Sequence, residues 1–225
     1  MILRDSLLDI YDRLYDHYGP QHWWPSDSRF EMMVGAVLTQ ATAWTNVEKA
    51  ISNLVAADVL SPRAIRDIGQ ARLSRLVHPS GYFNSKARKI KALATYLGER
   101  FNDDLDAMSR EDSGRLREEL LGVYGIGEET ADDILLYAMG EPTFIVDNYT
   151  RRVFSRIGLA PDKTSYSIYR SLFMDHLPTG VELFQEYHAL IVRHGKQVCR
   201  NKPKCHGCPL MSVCLRGKKA CAPPA

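Results

Sequence analysis

Apolar residues recur at helical spacing along almost the whole chain, and nowhere do they alternate long enough to build a strand. Residues 2–18 put Leu3, Leu7, Ile10, Leu14 and Tyr18 on one face, which predicts an amphipathic helix ended by Gly19-Pro20. Ser26, Asp27 or Ser28 can cap a second helix, in which Phe30, Met33, Val34 and Val37 repeat before it ends near Leu38-Thr39-Gln40. Trp44 and Thr45 open a third, with Val47, Ala50, Ile51 and Leu54 facing inward. Further helices are predicted over 61–68, 70–77 and 85–100, the last capped by Asn84 or Ser85, and another from Met108 to Leu121. Beyond them come a helix ending at Gly158, helices around 165–176 and 180–195, and a frayed tail over 220–225. The chain reads as all-α, without repeats or low-complexity runs.

One stretch departs from simple helix. Gly125-Ile126-Gly127 interrupts two helical patterns, the later one carrying Ile134, Leu135, Ala138 and Met139. Glycine permits positive φ and close backbone approach, so such a hairpin can aim successive N–H groups at a phosphate. Asp147 follows, just ahead of Asn148, Tyr149 and Thr150. It is either the N-cap of the next helix or a carboxylate kept for chemistry.

Charge enters through its distribution. The net charge of +2 announces no polyanion, but Arg193, Lys196, Arg200, Lys202, Lys204, Arg216, Lys218 and Lys219 follow one another with no acidic residue among them. That asymmetry suits one basic face. Lys86, Arg88, Lys89 and Lys91 form a second basic run at a helix start, where a solvated face is the plain expectation. The first residues lack the unbroken apolar core of a signal peptide, and no stretch approaches membrane-spanning length. All five cysteines lie at or after Cys199. A cytoplasmic or nucleoid location is expected, with no membrane partner.

Cys199, Cys205, Cys208 and Cys214 follow the spacing C-x5-C-x2-C-x5-C, which points to a metal rather than to disulfides. Four thiolates with a C-x2-C knuckle suit zinc first, and they also suit an iron–sulfur cluster.

The segment GVYGIGEETADDIL, followed by FIVDNYTRRVF, resembles the helix-hairpin-helix and Gly/Pro-Asp core of the endonuclease III superfamily of DNA glycosylases. The resemblance implies that Gly125, Ile126 and Gly127 grip the backbone of double-stranded DNA and that Asp147 sits at the base-excision site. FEMMVGAVLTQATAWTNVEKAI resembles the helix whose following loop supplies a glutamine to the space left by an extruded base, a role that falls on Gln40. A Tyr/Phe-Asn-Ser-Lys-Ala run implies phosphate contact for Lys86. The superfamily's C-terminal pattern, C-x6-C-x2-C-x5-C, differs by one residue in the first gap and implies a [4Fe–4S] cluster on the four cysteines. Such a cluster would fix a loop whose Arg200, Lys202 and Lys204 can meet phosphate. Cys221 falls outside the pattern.

One departure bears on the chemistry. Bifunctional members carry a lysine two residues after the hairpin's last glycine, and here that position is Glu129. A glutamate forms no Schiff base, so a monofunctional enzyme using water is expected. Trp23-Trp24-Pro25, LTQATAWTNVEKAI and GIGEETADDILLYA look closest to the branch that excises 3-methyladenine. Trp23, Trp24 and Trp44, with Glu129, are therefore the candidate base pocket. No segment beyond the cysteines resembles the extra domain of adenine glycosylases. The alternatives are an oxidised-pyrimidine glycosylase with lyase activity and a non-catalytic iron–sulfur damage sensor. The expected architecture is two helical lobes with DNA in the cleft, one over 24–134 and the other over 1–23 plus 135–225. The expected protein is a monomer without a nucleotide cofactor.

Overall fold

The structure is a computed structural model and describes residues 3–161 and 165–221. Among these residues every regular element is helical. They are α1 (Leu3–Tyr18), α2 (Arg29–Leu38), α3 (Trp44–Ala56), α4 (Pro62–Asp67), α5 (Gln70–Leu76), α6 (Phe83–Phe101) and α7 (Leu105–Met108). After them come α8 (Ser113–Gly122), α9 (Glu128–Asp133), α10 (Asn148–Ile157), α11 (Tyr166–Met174), α12 (Val181–Gln197) and α13 (Leu215–Ala220). None is long and apolar enough to cross a membrane. The chain divides into two compact units, Trp24–Glu141 and Met1–Trp23 joined with Pro142–Ala225.

The unit Trp24–Glu141 is built around α2. Phe30 and the seven residues Met32–Leu38 are all buried, so this helix is apolar nearly all round and is enclosed by its neighbours. Its start is fixed by Ser28, whose side chain accepts from Glu31 N at 3.1 Å. Helices α3, α6 and α9 pack against it. After Asp133 the helix widens into a π-helical turn over Ile134–Met139, where a regular α-helix was expected. The wider turn buries Leu136 together with the expected Ile134, Leu135, Ala138 and Met139. Gly140, at φ +71°, closes it by returning its N–H to Leu135 O. A unit boundary after 134 would cut this turn away from the core it fills, and the division falls after Glu141 instead.

Two expected elements differ. The helix expected from Met108 to Leu121 is two pieces, because Asp112 caps a new start at α8, its carboxylate accepting from Arg115 N at 2.9 Å. Neither Asn84 nor Ser85 caps α6, which begins two residues earlier than expected, at Phe83, after Tyr82 in the left-handed region at φ +46°.

In the other unit, α10, α11 and α12 surround an aromatic centre. Phe144 and Phe173 stack with centroids 3.8 Å apart, and Phe154, Phe184 and Tyr187 meet them edge to face. Leu7, Ile10 and Leu14 are the buried stripe of α1, which lies along α12. Tyr187 Oη donates to Leu7 O at 2.8 Å, so the one polar atom of that buried ring is satisfied. Residues 215–220 form α13, and the tail expected beyond them lies, after Cys221, outside the described residues.

Candidate functional site

The hairpin lies in the unit Trp24–Glu141 and joins α8 to α9. Gly125 takes φ +84°, and Ile126 N closes the turn on Val123 O at 3.0 Å with the Ile126 side chain buried. Gly127 is extended and caps α9, its carbonyl accepting from Ala131 N at 2.9 Å. The two helices are braced by a bidentate pair, Arg117 Nε to Asp132 Oδ1 at 2.8 Å and Nη2 to Oδ2 at 3.1 Å. Asp132 is wholly buried, so this pair ties the helices more firmly than a surface ion pair would. Glu128 and Glu129 are exposed on the first turn of α9.

Gln40 is committed to this hairpin rather than to its own loop. Its Nε2 donates to Gly125 O at 3.2 Å and to Thr130 Oγ1 at 3.0 Å, while its Oε1 accepts from Lys89 Nζ at 2.5 Å. The stem of Lys89 crosses Gly125 so closely that a Cβ there would fall within 2.8 Å of Lys89 Cγ, Cδ and Cε. Spacing along the sequence could not reveal these contacts, since Gln40, Lys89 and Gly125 come from three separate elements.

Lys86 is neither the phosphate contact nor the solvated residue that the sequence suggested. It is 2% exposed, and its ammonium donates inward to Leu38 O at 2.9 Å and Ser80 O at 2.6 Å. Burial, with Lys89 nearby, lowers its pKa to about 8. The reason is positional, because residue 86 falls on the buried stripe of α6 with Ala87, Ile90 and Leu93. In the same run, Lys91 Nζ donates to Arg66 O at 2.8 Å and Arg88 lies over the Tyr124 ring.

The tryptophans are divided. Trp24 and Trp44 meet edge to face at 5.1 Å and 88°, with Tyr137 tilted against Trp24 at 5.5 Å. Perpendicular rings do not form the parallel walls of a sandwich in this arrangement. They line a shallow pocket with Pro25, Glu31, Gly35 and Glu48. Trp23 belongs to the other unit, where Lys196 Nζ sits 5.4 Å above its ring.

Asp147, in that other unit, is buried and caps α10, Oδ1 accepting from Thr150 N at 2.7 Å. Its second oxygen faces His188 Nε2 at 3.9 Å. Burial lowers the pKa of His188 against the pull of Asp147, so the imidazole is neutral at ordinary pH. Lys196 is pulled down by partial desolvation and up by Asp147, and it spans the rings of Trp23 and Tyr149. Tyr149 packs on Gly195, where a Cβ would fall within 3.0 Å of its ring carbons. No role for His188 follows from the sequence pattern alone. The signal that could have found it is a histidine at a position that the periodicity marks as buried.

Cys199, Cys205, Cys208 and Cys214 line one cavity, together with Val153, Ile157 and Leu210. Burial raises the thiol pKa of Cys205, and that of Cys208 to about 11. Among the described residues, no three His, Cys, Asp or Glu side chains are grouped to hold a single ion. As a donor set, four sulfurs around one apolar hollow suit either a multi-iron cluster or a zinc ion. Arg152 and Arg156 of α10 carry the loop, donating to Cys199 O at 2.8 and 3.2 Å, and Arg156 also reaches Arg200 O and Asn201 O. His194, which sequence reading passed over, joins Tyr18 Oη at 3.0 Å to Cys208 Sγ at 3.8 Å. Burial lowers its pKa to about 4. Arg200, Lys202 and Lys204 have exposed side chains on this loop, whereas Arg193 turns inward to Tyr18 O and Gln21 Oε1.

A family model described as the HhH-GPD superfamily of base excision DNA repair proteins matches residues 34–179. A Methanocaldococcus jannaschii protein provisionally named a DNA repair glycosylase is 43% identical over 212 residues, covering 94% of this chain and 96% of its own. A trapped endonuclease III–DNA covalent intermediate has a similar fold, with TM-score 0.84 at 23% identity, covering 99% of this chain and all of that one. An H. pylori 3-methyladenine DNA glycosylase bound to 1,N6-ethenoadenine is similar at TM-score 0.75 and 28% identity, over 88% of this chain and 98% of that one.

Proposed function

The chain belongs to the HhH-GPD superfamily of base excision DNA repair proteins, and on that premise we propose that it is a monofunctional glycosylase that removes alkylated purines from double-stranded DNA. The observation that carries this reading is Glu129, exposed on the first turn after the hairpin where a lyase would present an amine. The likeness to the 3-methyladenine glycosylase supports the choice of lesion.

The mechanism follows from what the bond requires. The target nucleotide must leave the duplex before its glycosidic bond can be reached. As the C1′–N bond breaks, its electron pair departs with the base and positive charge gathers on the sugar. A fixed carboxylate stabilises that charge, and the cap bond from Thr150 N leaves Asp147 Oδ2 free for this work. The same oxygen can take a proton from the water that adds to C1′. Neutral His188 beside it adds no positive charge of its own to offset the carboxylate. A cationic alkylated purine is already a good leaving group, so aromatic contact suffices to hold it.

Hairpin residues Gly125, Ile126 and Gly127, with Arg200, Lys202 and Lys204, would engage phosphate, and Gln40 would fill the space left by the base. Tyr82, three-quarters exposed, offers a further ring for base stacking. Cys199, Cys205, Cys208 and Cys214 would hold a [4Fe–4S] cluster, whose contribution is to fix the basic loop.

A second reading, a glycosylase with lyase activity, is favoured by endonuclease III relatives at up to 30% identity and by Lys196, whose amine is partly desolvated and lies within the field of Asp147. The deciding experiment is excision from lesion-bearing duplexes with and without hot alkali. Breaks that need alkali, chiefly on methylated purines, support the first reading, and breaks without alkali support the second. Asp147→Asn keeps a cap acceptor but loses the charge, so the excision rate should fall by about 100-fold or more with little change in stability. Unchanged excision in that variant would remove Asp147 from the mechanism.

A further inference from the structure

The basic run on α6 does not face solvent as a set. Lys86 turns into the core, and Lys91 serves a carbonyl of α4. Lys89 is different. Its stem lies across the hairpin at Gly125, and its ammonium ends on the amide oxygen of Gln40, a neutral acceptor. Among the described residues no carboxylate lies within ion-pair distance of it. A half-buried cation held against a glycine hairpin by one neutral acceptor would gain from an anionic one, since a phosphate oxygen adds an opposite-charge attraction that an amide oxygen lacks.

The other end of the contact is equally constrained. All the hydrogen-bonding capacity that Gln40 uses goes to this site, through Lys89, Gly125 O and Thr130 Oγ1. The side chain cannot leave the hairpin without stranding the Lys89 ammonium, unless another acceptor takes it.

We propose that Lys89 is a positioning residue that exchanges the Gln40 amide oxygen for a DNA phosphate oxygen, so that docking of the backbone at the hairpin releases Gln40 toward the duplex. This rests on the reading of the chain as a DNA glycosylase that uses Gln40 in the helix. No bond to substrate changes at Lys89, and its proton stays in place. The exchange couples recognition of the backbone, which every duplex offers, to the freeing of a side chain that only a vacated base position can use.

The test is equilibrium binding to an undamaged duplex and to one carrying a stable abasic analogue, measured across salt for wild type, Lys89→Met, Lys89→Arg and Gln40→Ala. Methionine keeps an apolar stem over Gly125, so the hairpin should retain its fold, which thermal melting checks. If Lys89 meets a phosphate, Lys89→Met flattens the slope of log affinity against log salt by about 1, and a fourfold rise in salt weakens wild type about 3-fold more than the variant. Lys89→Arg restores the slope. Gln40→Ala, with the ammonium already released, binds undamaged duplex more tightly than wild type and discriminates less between the two duplexes. An unchanged salt slope in Lys89→Met overturns the exchange and leaves Lys89 a packing residue, as does a Gln40→Ala that weakens both duplexes equally. Failure of wild type to prefer the abasic duplex would instead sink the glycosylase reading itself, a separable outcome.

Discussion

The hairpin and the cysteine loop are both short connections beside helix ends, yet they are held in opposite ways. The hairpin is closed by side chains of its own unit: Gln40 and Lys89 across its backbone, and the Arg117–Asp132 pair behind it. Every one of those partners is a protein group in a bonded, low-exposure setting. The cysteine loop hangs on two arginines of α10 that grip its carbonyls, and its sulfurs turn into an apolar hollow. Burial drives the Cys205 and Cys208 thiols toward the neutral form, with Cys208 up at about 11, whereas a metal takes thiolates. The hairpin is therefore complete as protein, while ordering of the loop and binding of a metal group would be one event.

The strongest way to break that contrast is at the cysteines. Cys208→Ala, or stripping of iron from the purified protein, should abolish visible absorbance and lower the stability of the loop by several kcal/mol, because binding energy at such a site is folding energy. Hydrogen exchange would report it as lost protection over 199–214, with protection of the hairpin amides retained. Equal loss in both regions would mean that the two are one cooperative unit and that the contrast fails.

A finer comparison uses one glycine from each region. Gly125 and Gly207 both have positive φ, +84° and +76°. An added Cβ collides with the Lys89 stem at Gly125 but meets nothing within 4 Å at Gly207. Gly125→Ala should therefore cost about 2–3 kcal/mol in thermal or denaturant unfolding, and Gly207→Ala only about 1 kcal/mol, the left-handed penalty alone. Similar losses would show that Lys89 swings aside freely and that its packing over the hairpin is loose.

Legibility in the sequence divides along related lines. Periodicity located α3 and α10 to within a residue or two, because each buries one regular stripe. The glycine turn and the Asp147 cap were also readable, since both are set by residues next to each other in the chain. The interlock of Gln40 with Lys89 and Gly125 was not readable, and neither was the approach of His188 to Asp147, because these depend on how helices distant in sequence come to rest. Lys86 was misread for a plainer reason. A lysine on a buried stripe looks like surface until the carbonyls of Leu38 and Ser80 are found waiting for it.

The smallest expected effect tests that buried lysine through pH. The folded state holds the Lys86 pKa near 8, below the 10.5 of an ordinary lysine. Between those values the unfolded chain binds a proton that the folded chain does not, so stability rises with pH across this window. Below about pH 8 both states are protonated and the burial penalty is present in full. From about pH 7 to pH 9 the gain should be about 1 kcal/mol. Cys208 runs the other way, because a raised thiol pKa gives stability that is present at lower pH and lost as pH climbs from 9 toward about 11 in metal-free protein. Chemical denaturation at a series of pH values, followed by signals from each unit, separates the two slopes. Lys86→Met should flatten the rise for residues 24–141 and leave the thiol-linked fall untouched. A rise that survives in Lys86→Met would mean that another group titrates there and that the Lys86 ammonium is more solvated than its two carbonyl partners imply.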